Sequence, residues 1–432
     1  MPTLDLAWVR AQFPALAETI GGQPVIFLDG PGGTQVPQRV IDAITHYLVH
    51  ANANTHGAFA SSQQTDHTIA AAHSAIADLL GCNADEIVFG PNMTSLTFML
   101  SRSIGRDIRP GDEIVLTRLD HDANVSPWQA LAERGAVIKI ADIDPEDCTL
   151  DMEDLRRQIT PRTRIVAVGY ASNAVGTIND VAEVVRMARA VGALSFIDAV
   201  HYAPHGPIDV RALDCDFLAC SPYKFFAPHA GVLYGKQEHL LRLRPYKVRP
   251  APDELPGRWM TGTQSHEAMA GVAAAVAYLA ELGHRVSLSA ERPTALPEAP
   301  APLSRRQQLC AAMDAIQTYE RTLAATLITG LLDIPGLTFY GIREPARFTA
   351  RTPTVSVRID GHTPRQLAEA LGDQGIYTWD GNYYAINLTE RLGVEQDGGM
   401  LRIGLVHYNT GQEIERLLTA LQAIVRPTAR RD

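Results

Sequence analysis

Hydrophobic and polar positions follow two alternating patterns along this chain. Short apolar runs such as Phe217-Leu218-Ala219-Cys220 are typical of buried strands. Between these runs lie segments with apolar side chains at helical spacing. Such alternation predicts right-handed β-α-β units, and hence an α/β fold with a mostly parallel sheet. The strands are predicted at residues 87–89, 113–116, 137–140, 165–169, 194–197 and 217–220.

The remaining segments divide the chain into three parts. Residues 1–20, with Leu6, Val9, Phe13 and Leu16 at helical spacing, predict a helix that packs with a small C-terminal domain. Residues 21–285 form the large domain, in which the polar stretch 52–66 is expected to be a surface loop. Residues 286–432 form the small α+β domain, beginning with a Pro- and Ala-rich linker or insertion over 286–303. Its predicted elements are a long helix, a strand, a helix, a strand and a final helix, over 305–332, 354–359, 364–372, 401–404 and 411–424.

Composition excludes several classes of function. The chain has 432 residues, 46% of them hydrophobic, and a net charge of −10 with its basic residues scattered, so we expect no nucleic-acid partner. It shows neither a secretory signal nor an apolar run long enough for a membrane span, so a cytoplasmic protein is expected. The five cysteines form no CxxC pair, which favours reduced thiols over disulfides or a metal site.

A single lysine follows the last predicted strand. Lys224 lies between aromatic and apolar neighbours, and lysine is rarely buried without a partner. Burial would lower its pKa and yield the neutral amine that reacts with a carbonyl group. The alternative is an exposed lysine in a loop.

Other polar side chains follow the ends of the other predicted strands. Asp198 could keep a pyridine nitrogen protonated or cap a helix, and Asn173 could bind a phenolic oxygen or occupy a turn. His121 could lie flat on an aromatic ring or be an ordinary surface residue. Thr94 and Ser95 could bind a phosphate at a helix start or merely cap that helix. Because ligands bind at the carboxyl edge of parallel sheets, we expect these side chains to converge.

Together these residues resemble the class V aminotransferases, pyridoxal-phosphate enzymes that include the cysteine desulfurases and selenocysteine lyases. The resemblance extends from Phe27-Leu28-Asp29 to Tyr408-Asn409-Thr410 and implies the type I fold of this enzyme class. It implies that Lys224 binds the cofactor covalently, that Asp198 pairs with the ring nitrogen and that His121 stacks on the ring. It further places Asn173 and His201 near the phenolic oxygen, and the phosphate near Thr94, Ser95 and Ser221.

Two more residues take their expected roles from the resemblance alone. Thr263 resembles a phosphate contact that the second subunit of a homodimer donates, which would place the active site at the subunit interface. Arg402 resembles the arginine that binds the α-carboxylate of an amino-acid substrate, a role that suits a planar guanidinium.

The chain also departs from the desulfurase pattern. Tyr384 stands where desulfurases carry their nucleophilic cysteine, Trp379 where an arginine is usual, and Tyr223 where a histidine is usual. Tyrosine cannot accept sulfur as a thiolate does. We therefore expect a C–S β-lyase that acts on a modified cysteine without a persulfide. Tyr384 and Trp379 could line the substrate pocket or pack the small domain against the large one. An epimerase, aminotransferase or decarboxylase, or a non-catalytic relative with a binding or regulatory role, are the alternatives.

Overall fold

The computed structural model describes residues 4–290 and 303–425. Its largest sheet has seven strands in the spatial order β1-β7-β6-β5-β4-β2-β3. In chain order these strands are β1 Ile87–Gly90, β2 Glu113–Thr117, β3 Val137–Ala141, β4 Thr163–Gly169, β5 Leu194–Asp198, β6 Phe217–Cys220 and β7 Gly231–Gly235.

The direction of the strands places their carboxyl ends at one edge. Strands β2 to β6 pair in parallel, whereas β7 pairs antiparallel with both β6 and β1. Because β7 is antiparallel to both of its neighbours, β1 has the same direction as β2 to β6, and six of the seven strands run the same way. The side chains that follow their ends are carried to the same edge of the sheet, where ligands of such folds bind.

Fourteen α-helices surround this sheet and a second, smaller one in the described part of the chain. They are α1 Leu6–Ala11, α2 Gln38–His50, α3 Ala60–Leu80, α4 Met93–Ile104, α5 Ser126–Gln129, α6 Met152–Gln158, α7 Val181–Ala190, α8 Val210–Leu213, α9 Gln237–Arg242, α10 His266–Ala290, α11 Arg305–Leu332, α12 Pro364–Gly372, α13 Ile386–Arg391 and α14 Gly411–Val425. None of these helices combines the length and apolarity needed to cross a bilayer.

The small sheet has four antiparallel strands in the order β8-β9-β11-β10. These are β8 Leu337–Tyr340, β9 Thr354–Ile359, β10 Trp379–Gly381 and β11 Met400–Gly404. Three two-stranded pairs complete the strands of the described chain: Thr19–Ile20 with Gln23–Pro24, Ile26–Phe27 with Ile376–Tyr377, and Ile143–Asp144 with Thr149–Leu150. The middle pair ties residues 26–27 to the segment that directly precedes β10.

Helix α11 contributes to two apolar cores. Near its start, Leu309 and Met313 pack in the core around α10, while Leu327 and Leu331 pack against the small sheet. Helix α11, which lies C-terminal to residue 286, contributes buried residues to both cores. The domain boundary predicted at residue 286 therefore stays a prediction.

The N-terminal helix is much shorter than the prediction over 1–20. It ends at Ala11, and a single 3-10 turn over Pro14–Ala17 follows. Because a residue before proline avoids helical backbone, Phe13 is extended, with φ −108° and ψ 99°. The segment touches both parts of the chain: Trp8 stacks on Tyr278 of α10, and Arg10 binds Glu413 of α14 at 2.8 Å.

Two further predictions of irregular structure need correction. The stretch 52–66 is not all loop, because α3 begins at Ala60; its buried Thr65 is polar but bonds the Ala51 carbonyl at 2.9 Å. The predicted linker over 286–303 begins too early, because α10 continues to Ala290 and buries Val286 in the core. Residues 291–302 of that segment lie outside the described residues.

Candidate active site

A cavity of about 650 Å³ opens at the carboxyl edge of the large sheet, against the small sheet. A cavity of this size suits a small-molecule ligand. Ten of the twelve predicted site residues line it, although they come from distant parts of the chain: Thr94, His121, Asn173, Asp198, His201, Ser221, Lys224, Trp379, Tyr384 and Arg402.

Lys224 lies at the closed end of the cavity. Only 9% of the residue is exposed, which decides against the exposed-loop alternative. Its Nζ donates to the carbonyl of Pro31 and lies 4.6 Å from the centroid of the Tyr223 ring. Burial and the nearby Arg402 lower the pKa of Lys224 to about 7. A large share of the amine is therefore neutral near pH 7, the state that attacks a carbonyl.

Asp198 ends strand β5 and is buried. Its Oδ1 accepts the Val200 N–H at 2.9 Å, so it also caps the turn that follows. Burial raises the pKa of Asp198 to about 6, against the opposing effects of that hydrogen bond and of the Lys224 charge. A carboxylate in this setting is stabilised by a cationic partner such as a pyridinium N–H.

Two histidines line the cavity in different surroundings. His121 accepts the Ala123 N–H at its Nδ1 at 3.0 Å, and burial beside Lys224 lowers its pKa to about 4, so the ring is neutral. His201 is buried with its Nε2 3.2 Å from the hydroxyl of Thr352, and burial also lowers its pKa. Both are uncharged flat rings suited to contact another ring.

Arg402 projects from β11 and is only 4% exposed. One Nη donates to the carbonyl of Asn173 at 3.0 Å, but its Nε has no partner. The Oδ1 atom of Asn173 also has no partner, while its Nδ2 donates to the Tyr383 carbonyl at 2.9 Å. Because buried polar atoms are almost always paired, these two atoms indicate a polar ligand in the cavity.

Aromatic side chains form the entrance. Trp379 is 50% exposed and Tyr384 68% exposed, and the Tyr384 ring stacks on His121 with 5.3 Å between centroids. Tyr383 and Tyr384 have φ of 57° and 60°, a left-handed conformation that is uncommon for bulky residues. The Tyr384 N–H bonds Oδ1 of Asn382 at 3.0 Å, and its carbonyl accepts the Asp122 N–H at 2.7 Å, which holds this turn in place.

The predicted phosphate ligands are divided between two cavities. Thr94, in the first turn of α4, and Ser221 line the main cavity. Ser95 and Thr263 do not; they line a second cavity of about 410 Å³, and the Ser95 N–H is bound by Asn92 Oδ1 at 2.8 Å. In a single chain the fold therefore does not bring Ser95 and Thr263 to the Lys224 cavity.

Sequence reasoning missed two carboxyl groups near the cavity, that of Asp120, which is buried, and that of Asp29, which is half-buried. Asp120 lines it, and complete burial raises its pKa to about 8; it binds the Thr117 hydroxyl at 3.0 Å. Asp29 is close enough for its charge to act on Lys224, and burial raises its pKa to about 6. In the sequence, Asp29 precedes the Gly-Pro-Gly-Gly turn and Asp120 precedes His121, so both could have been noticed beside predicted site segments. Their raised pKa values come from burial, which the sequence does not show.

The residues fit pyridoxal phosphate. A deprotonatable amine suits its aldehyde, a buried carboxylate suits its ring nitrogen, and a neutral imidazole suits its ring face. Hydroxyls beside the start of α4 suit its phosphate, since helix N-termini favour anions. The Arg402 Nε, which has no partner, is a further donor for an anionic group.

Comparison with known proteins identifies the family. The family model described as aminotransferase class-V matches residues 26–295 and 309–417. A cysteine desulfurase of Pectobacterium atrosepticum is 32% identical over 435 aligned positions covering 97% of each chain. A protein of Gibberella zeae named aminotransferase-like protein FGM3 is 31% identical, over 96% of this chain and 98% of that one.

A solved structure confirms the predicted fold. The apo structure of a cysteine desulfurase from Thermococcus onnurineus NA1 superposes with a TM-score of 0.84 at 26% identity, covering 98% of both chains. Because the family model matches most of the sequence and the relatives align along nearly their whole length, this chain belongs to the class V aminotransferases and is a pyridoxal-phosphate-dependent enzyme of cysteine desulfurase-like architecture.

Proposed function

We propose that this enzyme breaks the Cβ–S bond of an S-substituted cysteine by β-elimination, without a protein-bound persulfide. The observation that carries the proposal is the make-up of the cavity. It contains a basic amine, a buried carboxylate and an arginine, but none of the five cysteines of the chain lines it.

The cysteines are unsuited to a sulfur relay. Cys148, Cys215 and Cys220 are buried, and burial raises the pKa of each; for Cys148 the value is about 12. They are therefore protonated thiols near neutral pH, whereas sulfur transfer needs a thiolate. Cys82 and Cys310 are half-buried and lie elsewhere.

Four residues of the cavity have roles in such a reaction. When bound, pyridoxal phosphate supplies an aldehyde that captures the substrate amine and a ring that withdraws electrons from Cα. Asp198 would keep a proton on the ring nitrogen, and His121 would cover the ring face. Arg402 would bind the α-carboxylate and so orient the Cα–H bond toward Lys224, whose amine takes the proton as general base.

The atoms balance without an added oxidant or reductant. Lys224 takes the Cα proton, the electron pair of that bond forms Cα=Cβ, and the pair of the Cβ–S bond leaves with sulfur. The leaving thiolate takes up a proton to become a thiol. The carbon product, 2-aminoacrylate, tautomerises and reacts with water to give pyruvate and ammonium.

The test is product formation from a panel of S-substituted L-cysteines. Purified holoenzyme should give equal amounts of pyruvate and thiol, and iodoacetamide treatment should leave this activity intact because no cysteine lines the cavity. L-Cysteine with a reductant should give no more sulfide and alanine than a Lys224→Ala control. Absence of pyruvate from every member of the panel would refute the proposal.

Transamination is the second candidate. The name of the Gibberella zeae relative, aminotransferase-like, favours it. It would differ in its products, because the intact keto acid forms without release of a thiol. Incubation with an amino acid and no acceptor would then produce pyridoxamine phosphate, which chromatography separates from pyridoxal phosphate.

Two other reactions would be recognised by their products. Epimerisation would be detected as a change of Cα configuration, and decarboxylation as carbon dioxide release.

We also propose that the enzyme is a homodimer in which Thr263 serves the neighbouring active site. Its separation from the Lys224 cavity within one chain supports this arrangement. Helix α2 also exposes Ile41, Leu48 and Val49, at 41%, 49% and 67%, an apolar surface that a second copy could cover. Sedimentation should give twice the chain mass, and a monomer with full activity would exclude the arrangement.

A further inference from the structure

The entrance of the cavity carries a carboxylate that the reaction above does not use. Glu395 lines the cavity beside Asn382, in the same rim as Trp379 and Tyr384. The rim is the solvent side of the cavity, since both aromatic residues are at least half exposed whereas Lys224 is buried. Glu395 therefore lies where the distal part of a bound amino acid would be.

The charge of Glu395 is not neutralised by a neighbouring cation. Its Oε1 accepts the Asn382 Nδ2–H at 2.9 Å and its Oε2 accepts the hydroxyl proton of Thr389. Both donors are neutral, and within residues 4–290 and 303–425 no lysine or arginine pairs with this carboxylate. The cationic side chains that line the cavity, Lys224 and Arg402, belong to its buried end.

A second carboxylate adds to the negative potential of the rim. Asp380 is opposite Leu401 in the β10–β11 register, whereas Trp379 is opposite Arg402, so the side chains of Asp380 and Arg402 lie on different faces of the small sheet. Asp380 pairs with Arg365 at 3.5 Å, but that arginine binds Glu369 more closely, at 2.7 Å. Its charge is therefore only partly offset, and Asp380 also lines the cavity.

The aromatic rings suit the same kind of group. Exposed tyrosine and tryptophan faces attract cations through the ring quadrupole, an effect that adds to that of a nearby carboxylate. At the other end of the cavity, the buried Arg402 Nε has no partner and provides an independent anchor for an α-carboxylate. The cavity thus offers a donor for an anion at its floor and acceptors for a cation at its entrance.

We infer that Glu395, with the rings of Trp379 and Tyr384, selects a substrate whose side chain ends in a cationic group, an ammonium or a guanidinium. This inference rests on the proposed function in naming the substrate an S-substituted cysteine with a cationic S-substituent. A neutral substituent would leave the negative charge of Glu395 uncompensated, and an anionic substituent would be repelled by it.

The first test compares substituents of equal length. S-(2-Aminoethyl)-L-cysteine and S-propyl-L-cysteine differ in one terminal group, ammonium against methyl. For the holoenzyme we expect kcat/KM to be about tenfold higher for the cationic substrate, as a charge-assisted contact implies. Glu395→Gln should remove most of this preference, because the amide keeps the shape and one acceptor but loses the charge. The matched control is Glu390→Gln, an exposed glutamate of α13 that does not line the cavity.

The second test does not depend on elimination. L-Lysine and L-2-aminoheptanoic acid have side chains of equal length that end in ammonium and in methyl, and their binding to the holoenzyme can be followed by the change in cofactor absorbance. Tighter binding of lysine that is lost in Glu395→Gln and kept in Glu390→Gln supports the inference. It does so even if no S-substituted cysteine yields pyruvate, because that failure would refute only the proposed reaction. Equal binding of the two amino acids by the wild-type enzyme, or an equal loss for both in Glu395→Gln, overturns the inference.

Discussion

The guanidinium carbon of Arg402 lies 4.2 Å from the centroid of the Tyr383 ring. The ring covers one side of the guanidinium, and the Asn173 carbonyl binds one of its Nη atoms at 3.0 Å. Two contacts thus fix the orientation of the group while its Nε remains without a partner. A pre-positioned donor loses little entropy when it binds an anion.

Arg402→Lys should raise KM for the amino-acid substrate by roughly 10- to 100-fold, the cost of losing a charge-assisted hydrogen bond. Lysine keeps a positive charge but not the planar fork. The absorbance of the bound cofactor should be unchanged. Steady-state kinetics and an absorption spectrum measure the two effects, and an unchanged KM would remove Arg402 from substrate binding.

The rate at which apoenzyme captures pyridoxal phosphate should rise with pH and level off above about 7. Lys224 reacts as the neutral amine, and its lowered pKa of about 7 means that the neutral form dominates above that pH. Stopped-flow absorbance gives the rate, with an N-acetyl-lysine derivative as the solvent-exposed control, which should still be accelerating near pH 10. Arg402→Gln should move the enzyme's inflection to higher pH, because the arginine charge lowers the pKa of Lys224. An enzyme curve that follows the control would contradict the buried setting of Lys224.

Asp198→Asn should retain the covalently bound cofactor but reduce kcat by about 10²- to 10³-fold, as for other losses of buried electrostatic stabilisation. The amide can still accept the Val200 N–H, so local folding is preserved. It cannot hold a pyridinium proton by charge. Titration of bound cofactor and measurement of kcat separate the effects, with Lys224→Ala as the variant that loses covalent attachment.

Gly399 and Gly398 form a matched pair on the cavity wall. Both have positive φ, 70° and 82°, but a Cβ on Gly399 would lie 2.1 Å from the Gly381 carbonyl oxygen, whereas one on Gly398 would meet nothing within 4 Å. Gly398→Ala should cost about 1 kcal/mol through its backbone conformation. Gly399→Ala should cost more and raise KM, because the loop that carries Asn382 must move. Urea unfolding and kinetics of the two variants test this, and equal effects would contradict it.

Leu327→Ala should lower the free energy of unfolding by about 2–5 kcal/mol, the usual cost of a cavity in a packed core. Leu327 is fully buried where α11 meets the small sheet. Leu332 on the same helix is 45% exposed, and Leu332→Ala should cost less than about 0.5 kcal/mol. Equilibrium denaturation of both variants measures the difference. Similar costs for both would mean that this core contributes little.

Most elements were predictable because their signals are local. Apolar runs and helical spacing depend on neighbouring residues, and the predicted helices over 305–332 and 364–372 coincide with α11 and α12. The errors occur where a long-range contact overrides local composition. Thr65 in α3 is polar but buried, because its hydroxyl donates a hydrogen bond to the Ala51 carbonyl. Val286 is buried in the core, and α10 continues through it where the sequence predicts a linker.

The sequence by itself determined the order of strands β1 to β6 along the chain, the family, and the identity of the side chains that follow those strands, whereas β7, β8 and β10 were not predicted. The tertiary structure alone decided which of them meet. It brought Lys224 and Arg402 into one cavity, left Ser95 and Thr263 outside it, and added Glu395, for which the sequence had no signal. The reason is that periodicity reports only on neighbours along the chain, whereas charge, pKa and reactivity depend on the groups that folding packs together and removes from water.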